Sequence, residues 1–225
     1  MKKLSLSIVS AMLCLQNINY ADVRIIFDGH TLSLSGSPKE KFLVTEKEFE
    51  SLKEGGISSF GFSNIDFSKG LDAFSDFLMS YRGKGIESLK FKKCDCIMRD
   101  GVIQRIIEAV RNGVEIKNVE IGPGTFVDSS HFKDYGDIPE PLRPKFEINL
   151  KGPEDFDTYN GPVKCVDEEW RSRWEVTAAR LLEIANSFET IDLFIKGNCN
   201  GKECCFKDLQ ALNEWIDQHR TRLGK

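Results

Sequence analysis

Three stretches of the chain carry one pattern of apolar and polar positions. Ile57-Ser-Ser-Phe60-Gly-Phe62, Ile86-Glu-Ser-Leu89-Lys-Phe91 and Ile116-Lys-Asn-Val119-Glu-Ile121 each place an apolar residue, two polar ones, then apolar residues alternating with polar or small ones. Phe60 lies 29 positions before Leu89, and Leu89 lies 30 before Val119. Such alternation predicts half-buried strands. Between them the apolar spacing turns helical. Leu71, Phe74, Phe77 and Leu78 share one face before Gly83 and Gly85, and Val102, Ile103, Ile106, Ile107 and Val110 share another before Gly113. Ser68 and Asp100 are the expected N-caps of these two helices. A strand–helix unit repeated at a fixed period predicts a solenoid, with parallel strands joined by right-handed helical crossovers.

The flanks fit the same scheme less regularly. Val23–Phe27 reads as a strand, Asp28-Gly29 as a turn, and Thr31–Ser35 as a second strand. That second strand is either a hairpin partner or the first rung. Thr45-Glu-Lys-Glu48 is a capping box for a helix that turns Phe49 and Leu52 inward. After the third phrase, residues 127–145 hold Pro139, Pro141 and Pro144, which disfavour a helix and predict an ordered loop in its place. Phe146–Leu150 is the fourth rung, with Ile148 29 positions after Val119. Residues 151–166 form a second loop. A helix from Asp167 buries Trp170, Trp174, Leu181, Leu182 and Ala185, and Phe188–Ile195 is the fifth rung. Gly197–Glu203 reads as a turn. A last helix from Phe206 to about Leu223 caps the stack through Leu209, Leu212 and Ile216.

The three phrases resemble leucine-rich repeats, and their period and intervening helices resemble the ribonuclease-inhibitor-like class. The resemblance covers about residues 57–150. It implies an α/β parallel strand–helix solenoid of about five rungs with a C-terminal capping helix. It also implies strands on the concave face, helices on the convex one, and a protein partner. The family's asparagine or cysteine slot falls on Ile65, Cys94 and Gly124, so Cys94 matches it and the other two depart from it.

Composition narrows the setting. The chain has 225 residues, 40% of them hydrophobic, enough for one sizeable domain over residues 22–225. A net charge of −4 gives no basic excess, so no nucleic-acid partner is expected. Met1-Lys2-Lys3, the apolar stretch Leu4–Leu15, polar Asn17–Asn19 and the small Ala21 are laid out as a secretory signal peptide over residues 1–21. A buried first helix or strand is the plainer alternative. The stretch is shorter than the ~20 apolar residues of a membrane span, so no span is expected in the mature chain. A secreted or periplasmic, bacterial protein is the expectation. Removing residues 1–21 leaves Cys94, Cys96, Cys165, Cys199, Cys204 and Cys205, for which an exported protein permits disulfides. Cys94 reads as a core residue.

No hydrolase, phosphate-loop, dinucleotide or metalloprotease motif occurs, so no catalytic residue, metal site or cofactor is expected. Three weaker patterns remain. Cys165 with His131 would be a thiol–imidazole pair. Asp134, Asp137 and Glu140 are oxygen ligands without the spacing of a calcium loop, and a solvated loop is the better reading. Arg82, Lys84, Lys90, Lys92, Lys93 and Arg99 are a basic cluster. Alternation projects Ser88, Lys90, Lys92, Asn118, Glu120, Glu147, Asn149 and Phe194 from the strands, and these are the expected binding residues. The expected function is an exported protein-binding module, in its sharpest form a bacterial effector or adhesin whose partner belongs to a host. The alternatives are a secreted hydrolase or thiol enzyme with its site in the 127–166 loops, and a structural envelope protein.

Overall fold

The computed structural model describes residues 19–20, 23–27, 31–37, 41–53, 56–95, 101–122, 124–125, 127–151, 168–199, 202–206, 210–214 and 217. The chain divides into two compact units, Met1–Lys145 and Phe146–Lys225. Each combines strands with helices, and most strand pairings are parallel.

The first unit opens with strands β1 (Asn19–Tyr20), β2 (Val23–Phe27) and β3 (Thr31–Gly36). The short strand β4 (Phe42–Leu43), helix α1 (Glu46–Leu52), strand β5 (Ser59–Ser63) and the short strand β6 (Ile65–Asp66) follow. Helix α2 (Leu71–Met79), strand β7 (Ile86–Lys92), helix α3 (Val102–Arg111) and strand β8 (Ile116–Ile121) complete the alternation. The strand order is β1-β2-β3-β5-β7-β8. β2 pairs antiparallel with β1 and β3, while β3, β5, β7 and β8 run parallel. Thus β3 is both a hairpin partner and the first member of the parallel series. Asn19 and Tyr20, the end of the expected leader, pair with Arg24 and Val23; residues 1–18 lie outside the described residues.

Register follows the sequence period. Leu32 pairs with Phe60, Phe60 with Leu89, and Leu89 with Val119. Leu34, Phe62, Phe91 and Ile121 form the next row. All eight side chains are buried. Ile86 and Leu89 both face inward although three positions apart. The cause is a bulge: the N–H groups of Glu87 and Ser88 both donate to the Ser58 carbonyl, at 2.8 and 3.4 Å.

Beyond β5 and β7 the chain turns a corner. Asn64 and Lys93 occupy equivalent positions and both take left-handed backbone, φ 54° and 56°. A second, shorter ladder follows, in which β4 pairs with β6 and Asp66 bridges to Asp95. Lys41 and Asp95 form an ion pair across it.

Helices α1, α2 and α3 pack side by side. Their inward residues meet the strand rows in a phenylalanine-rich core. Phe62 stacks on Phe91 with centroids 5.2 Å apart, and Phe60 meets Phe77 edge-on at 4.9 Å. Fully burying each such ring stabilises by about 1.5–3 kcal/mol before ordering costs. The capping box of α1 forms as expected: Thr45 N–H and Oγ1 both donate to Glu48 Oε2. The caps of the next two helices do not. Their N-caps are Gly70 and Gly101 rather than Ser68 and Asp100. Ser68 is held one turn earlier, its N–H donating to Asp66 Oδ1; Asp100 lies outside the described residues.

Residues 127–145 fold as three short 3-10 turns, Ser129–Phe132, Tyr135–Asp137 and Glu140–Leu142. Val127, Phe132, Tyr135 and Ile138 anchor them in the core, and the first packs on α3.

The second unit contains strand β9 (Lys145–Lys151), helix α4 (Glu168–Ser187), strand β10 (Ile191–Cys199) and strand β11 (Lys202–Phe206). β9 and β10 are parallel, with Ile148 opposite Leu193, and α4 packs on β10. The turn expected over Gly197–Glu203 is instead a hairpin: Gly197 pairs with Cys204 and Cys199 with Lys202. Residues 200–201 lie outside the described residues. Phe206 therefore belongs to a strand and not to the last helix; residues 210–214 are helical. The loop 152–167 lies outside the described residues.

Candidate functional site

In the first unit the helices lie on one side of the parallel strands, where the buried rows point. The residues between those rows alternate to the other side. Ser33, Gly61, Lys90 and Glu120 form one row there, and Ser88 and Asn118 stand side by side in another. Ser88 and Glu120 are half-buried, and Lys90, Lys92 and Asn118 are exposed. The structure thus brings the five expected residues of this unit onto one polar face.

The face has an internal order. Lys90 Nζ lies 3.2 Å from Glu120 Oε2, and Lys117 Nζ lies 2.7 Å from Glu87 Oε2. The Glu87 carboxylate, through its hydrogen bond and charge, raises the pKa of the Lys117 ammonium. Asn118 Nδ2 donates to the Glu87 carbonyl at 3.1 Å. These exposed pairs add little stability each, but they fix where charges stand. Toward β3 the face is built of small residues. A side chain at Gly61 would come within 2.6 Å of Ser33 Oγ, so glycine keeps this part low. Gly122, just beyond β8, is buried, and a Cβ there would meet the Phe91 carbonyl at 3.0 Å.

In the second unit Glu147 is exposed and stands opposite Asp192, while Asn149 stands opposite Phe194, both half-buried. Asn149 Nδ2 donates to Glu147 Oε1 at 3.2 Å. A depression of about 150 Å³ lies beside β10, lined by Leu182, Ala185 and Asn186 of α4 and by Ile191, Asp192 and Phe194 among others. Sequence reasoning did not find it, because it arises where the end of α4 meets the start of β10, and no local pattern marks that meeting.

The other candidates resolve differently. His131 is 3% exposed, and its Nδ1 accepts the Asp128 N–H at 3.2 Å. The imidazole closes a capping box with Asp128, whose Oδ1 accepts from Ser130 N–H. Its proposed partner Cys165 lies outside the described residues. Asp134 accepts from Gln104 Nε2 at 3.0 Å and lies 3.6 Å from Arg111, which also reaches Asp137 at 3.8 Å. Two of the three acids weighed for calcium thus pin the loop to α3. Among the described residues no group of three or more His, Cys, Asp or Glu is arranged to hold a metal ion. No helix among them is long and apolar enough to cross a membrane.

Cys94 is buried at the end of β7. Its Sγ donates to the carbonyls of Phe62 and Lys92, at 3.4 and 3.5 Å. Burial pushes its thiol pKa up to about 12, so it is no nucleophile at neutral pH. Its N–H donates to Thr125 Oγ1 at 3.1 Å. Compared with known proteins, the chain matches no family model, no curated protein and no solved structure.

Proposed function

We propose that the chain is an exported, leucine-rich-repeat-like strand–helix solenoid that binds another protein through the exposed face of its strands. One observation carries the reading: Ser88, Lys90, Lys92, Asn118 and Glu120 share one polar face, opposite the side on which the helices pack. The matched register of Phe60, Leu89 and Val119 supports the solenoid, because the sequence period coincides with strand stacking. The repeated left-handed corner at Asn64 and Lys93 supports it independently. Mixed charge on the face suits orientation and selectivity of a partner more than raw affinity. In its sharpest form the protein is a bacterial effector or adhesin, secreted or periplasmic, acting on a host protein.

Capture from host-cell extracts by the purified chain, compared with a Lys90→Glu/Lys92→Glu variant, tests the reading. The double reversal is expected to weaken capture of the same partner at least tenfold, about 1.4 kcal/mol. Equal capture by both proteins, or no protein captured by the native chain, refutes it.

A further inference from the structure

We propose that a trough over β3 and β5 holds an extended segment of the partner protein, whose side chains alternate between acidic and apolar. This rests on the reading of the strand face as a protein-binding surface and names what the partner presents to it. The trough follows from register. Ile26 pairs with Ser33, Ser33 with Gly61, and Gly61 with Lys90, so the four stand in one line across β2, β3, β5 and β7. Ile26 is 47% exposed and Lys90 is exposed, while the two small residues between them are half-buried. Neighbouring strands lie about 4.8 Å apart, so these walls stand about 14 Å from each other. The Ser33 hydroxyl lies over Gly61, where a Cβ would come within 2.6 Å of it. Ser35, Ser63 and exposed Lys92 repeat the order one row along. Arg24 stands opposite Ser35 and adds a basic position on β2.

The chemistry of floor and walls selects the occupant. The hydroxyls of Ser33, Ser59 and Ser63 make no hydrogen bond among the described residues. Each can donate and accept. An extended main chain brings N–H and C=O groups that need such partners, whereas a helix satisfies its own. In an extended segment successive side chains point opposite ways. One set therefore meets Ile26 and the other meets the lysines of β7. Lys90 is already paired with Glu120, but Lys92 makes no ion pair among the described residues. Lys92 is thus the first site for a partner carboxylate, and the complementary charge fixes the direction in which the segment lies.

Titration of the peptide acetyl-Glu-Val-Glu-Val-Glu-amide into the isotope-labelled full chain, followed by backbone amide shifts, tests the trough. Saturating shifts are expected at Ser33, Gly61, Ser63 and Lys92. The same peptide with lysine in place of glutamate should bind at least tenfold more weakly. Lys92→Gln and Ile26→Ser, both at exposed positions, should each weaken the titration roughly fivefold. Absent shifts, shifts at Lys92 without Ser33 and Gly61, or equal shifts from the lysine peptide overturn the proposal. So does unchanged titration in both variants, and so does tighter binding of a chondroitin sulfate hexasaccharide, which would make the occupant a glycan. The capture experiment with Lys90→Glu/Lys92→Glu reads the face as a whole. Capture lost in that variant, with no peptide shifts, overturns the trough alone. Peptide shifts with capture unchanged in that variant overturn the capture reading alone.

Discussion

Cys94 sits where β7 turns its corner, closed off from solvent and hydrogen-bonded through Sγ to two strand carbonyls. Desolvation opposes the thiolate there and raises the pKa from 9.0 to about 12. The folded state therefore keeps a proton that the unfolded chain releases, and this stability is present below pH 9 and lost as pH rises toward 12. Tyr81, pushed from 10.0 to about 12 by burial, adds in the same direction. Alkylation at pH 8 followed by mass spectrometry is expected to leave Cys94 unmodified until denaturant is added; rapid labelling of the native protein would contradict its placement. Gly36 makes a second residue-scale test. A Cβ there would stand 2.3 Å from the Asn64 carbonyl, a backbone atom that cannot rotate away. Gly36→Ala should cost about 1–3 kcal/mol by overpacking, read as a lowered midpoint in thermal or urea unfolding. The sequence shows Cys94 as a core residue, since it follows an alternating strand. It does not show that Gly36 must be small, because the atom that forbids a side chain comes from 28 residues away.

At the scale of elements, strong periodicity was readable and boundaries were not. The five apolar positions of α3 are all buried, since a helix with one oily stripe has one stable orientation. Its N-cap is Gly101, and that of α2 is Gly70, while the Ser68 N–H donates to Asp66 Oδ1 in the turn before α2. β10 and β11 pair as a hairpin where the glycine- and asparagine-rich stretch Gly197–Glu203 reads as a turn, because such residues mark a chain reversal without fixing how far the strands extend into it. The prolines of residues 127–145 correctly argue against a helix. What holds that loop was not legible: Arg111 lies on a helix far from Asp134 and Asp137 in sequence, and their meeting is tertiary. Arg111→Ala is expected to cost only about 0.5–1 kcal/mol globally, as for other exposed pairs. It should nevertheless speed hydrogen exchange at the amides of Lys133, Asp137 and Ile138, which bond within the loop. Unchanged exchange there would show that Tyr135 and its neighbours hold the loop without the ion pairs.

For the whole molecule, the sequence period reports which strands are equivalent, and the parallel pairing of β3, β5, β7 and β8 follows from helical connections between them. The polar face is equally legible, because alternation assigns sides once a strand is accepted. The division into two compact units is not, since both carry the same strand and helix patterns. A partner's identity is not written in a face of serine, lysine, asparagine and glutamate either, because no single group there dictates a ligand. Everything proposed for that face depends on residues some thirty positions apart lying side by side. A methyl and aromatic NOE spectrum of selectively labelled protein measures this directly. Leu89 methyl groups should show strong cross-peaks to Val119 methyl groups and to the Phe60 ring. Leu89 cross-peaks to other side chains, with none to Val119 or Phe60, would contradict the stacking and the face built on it.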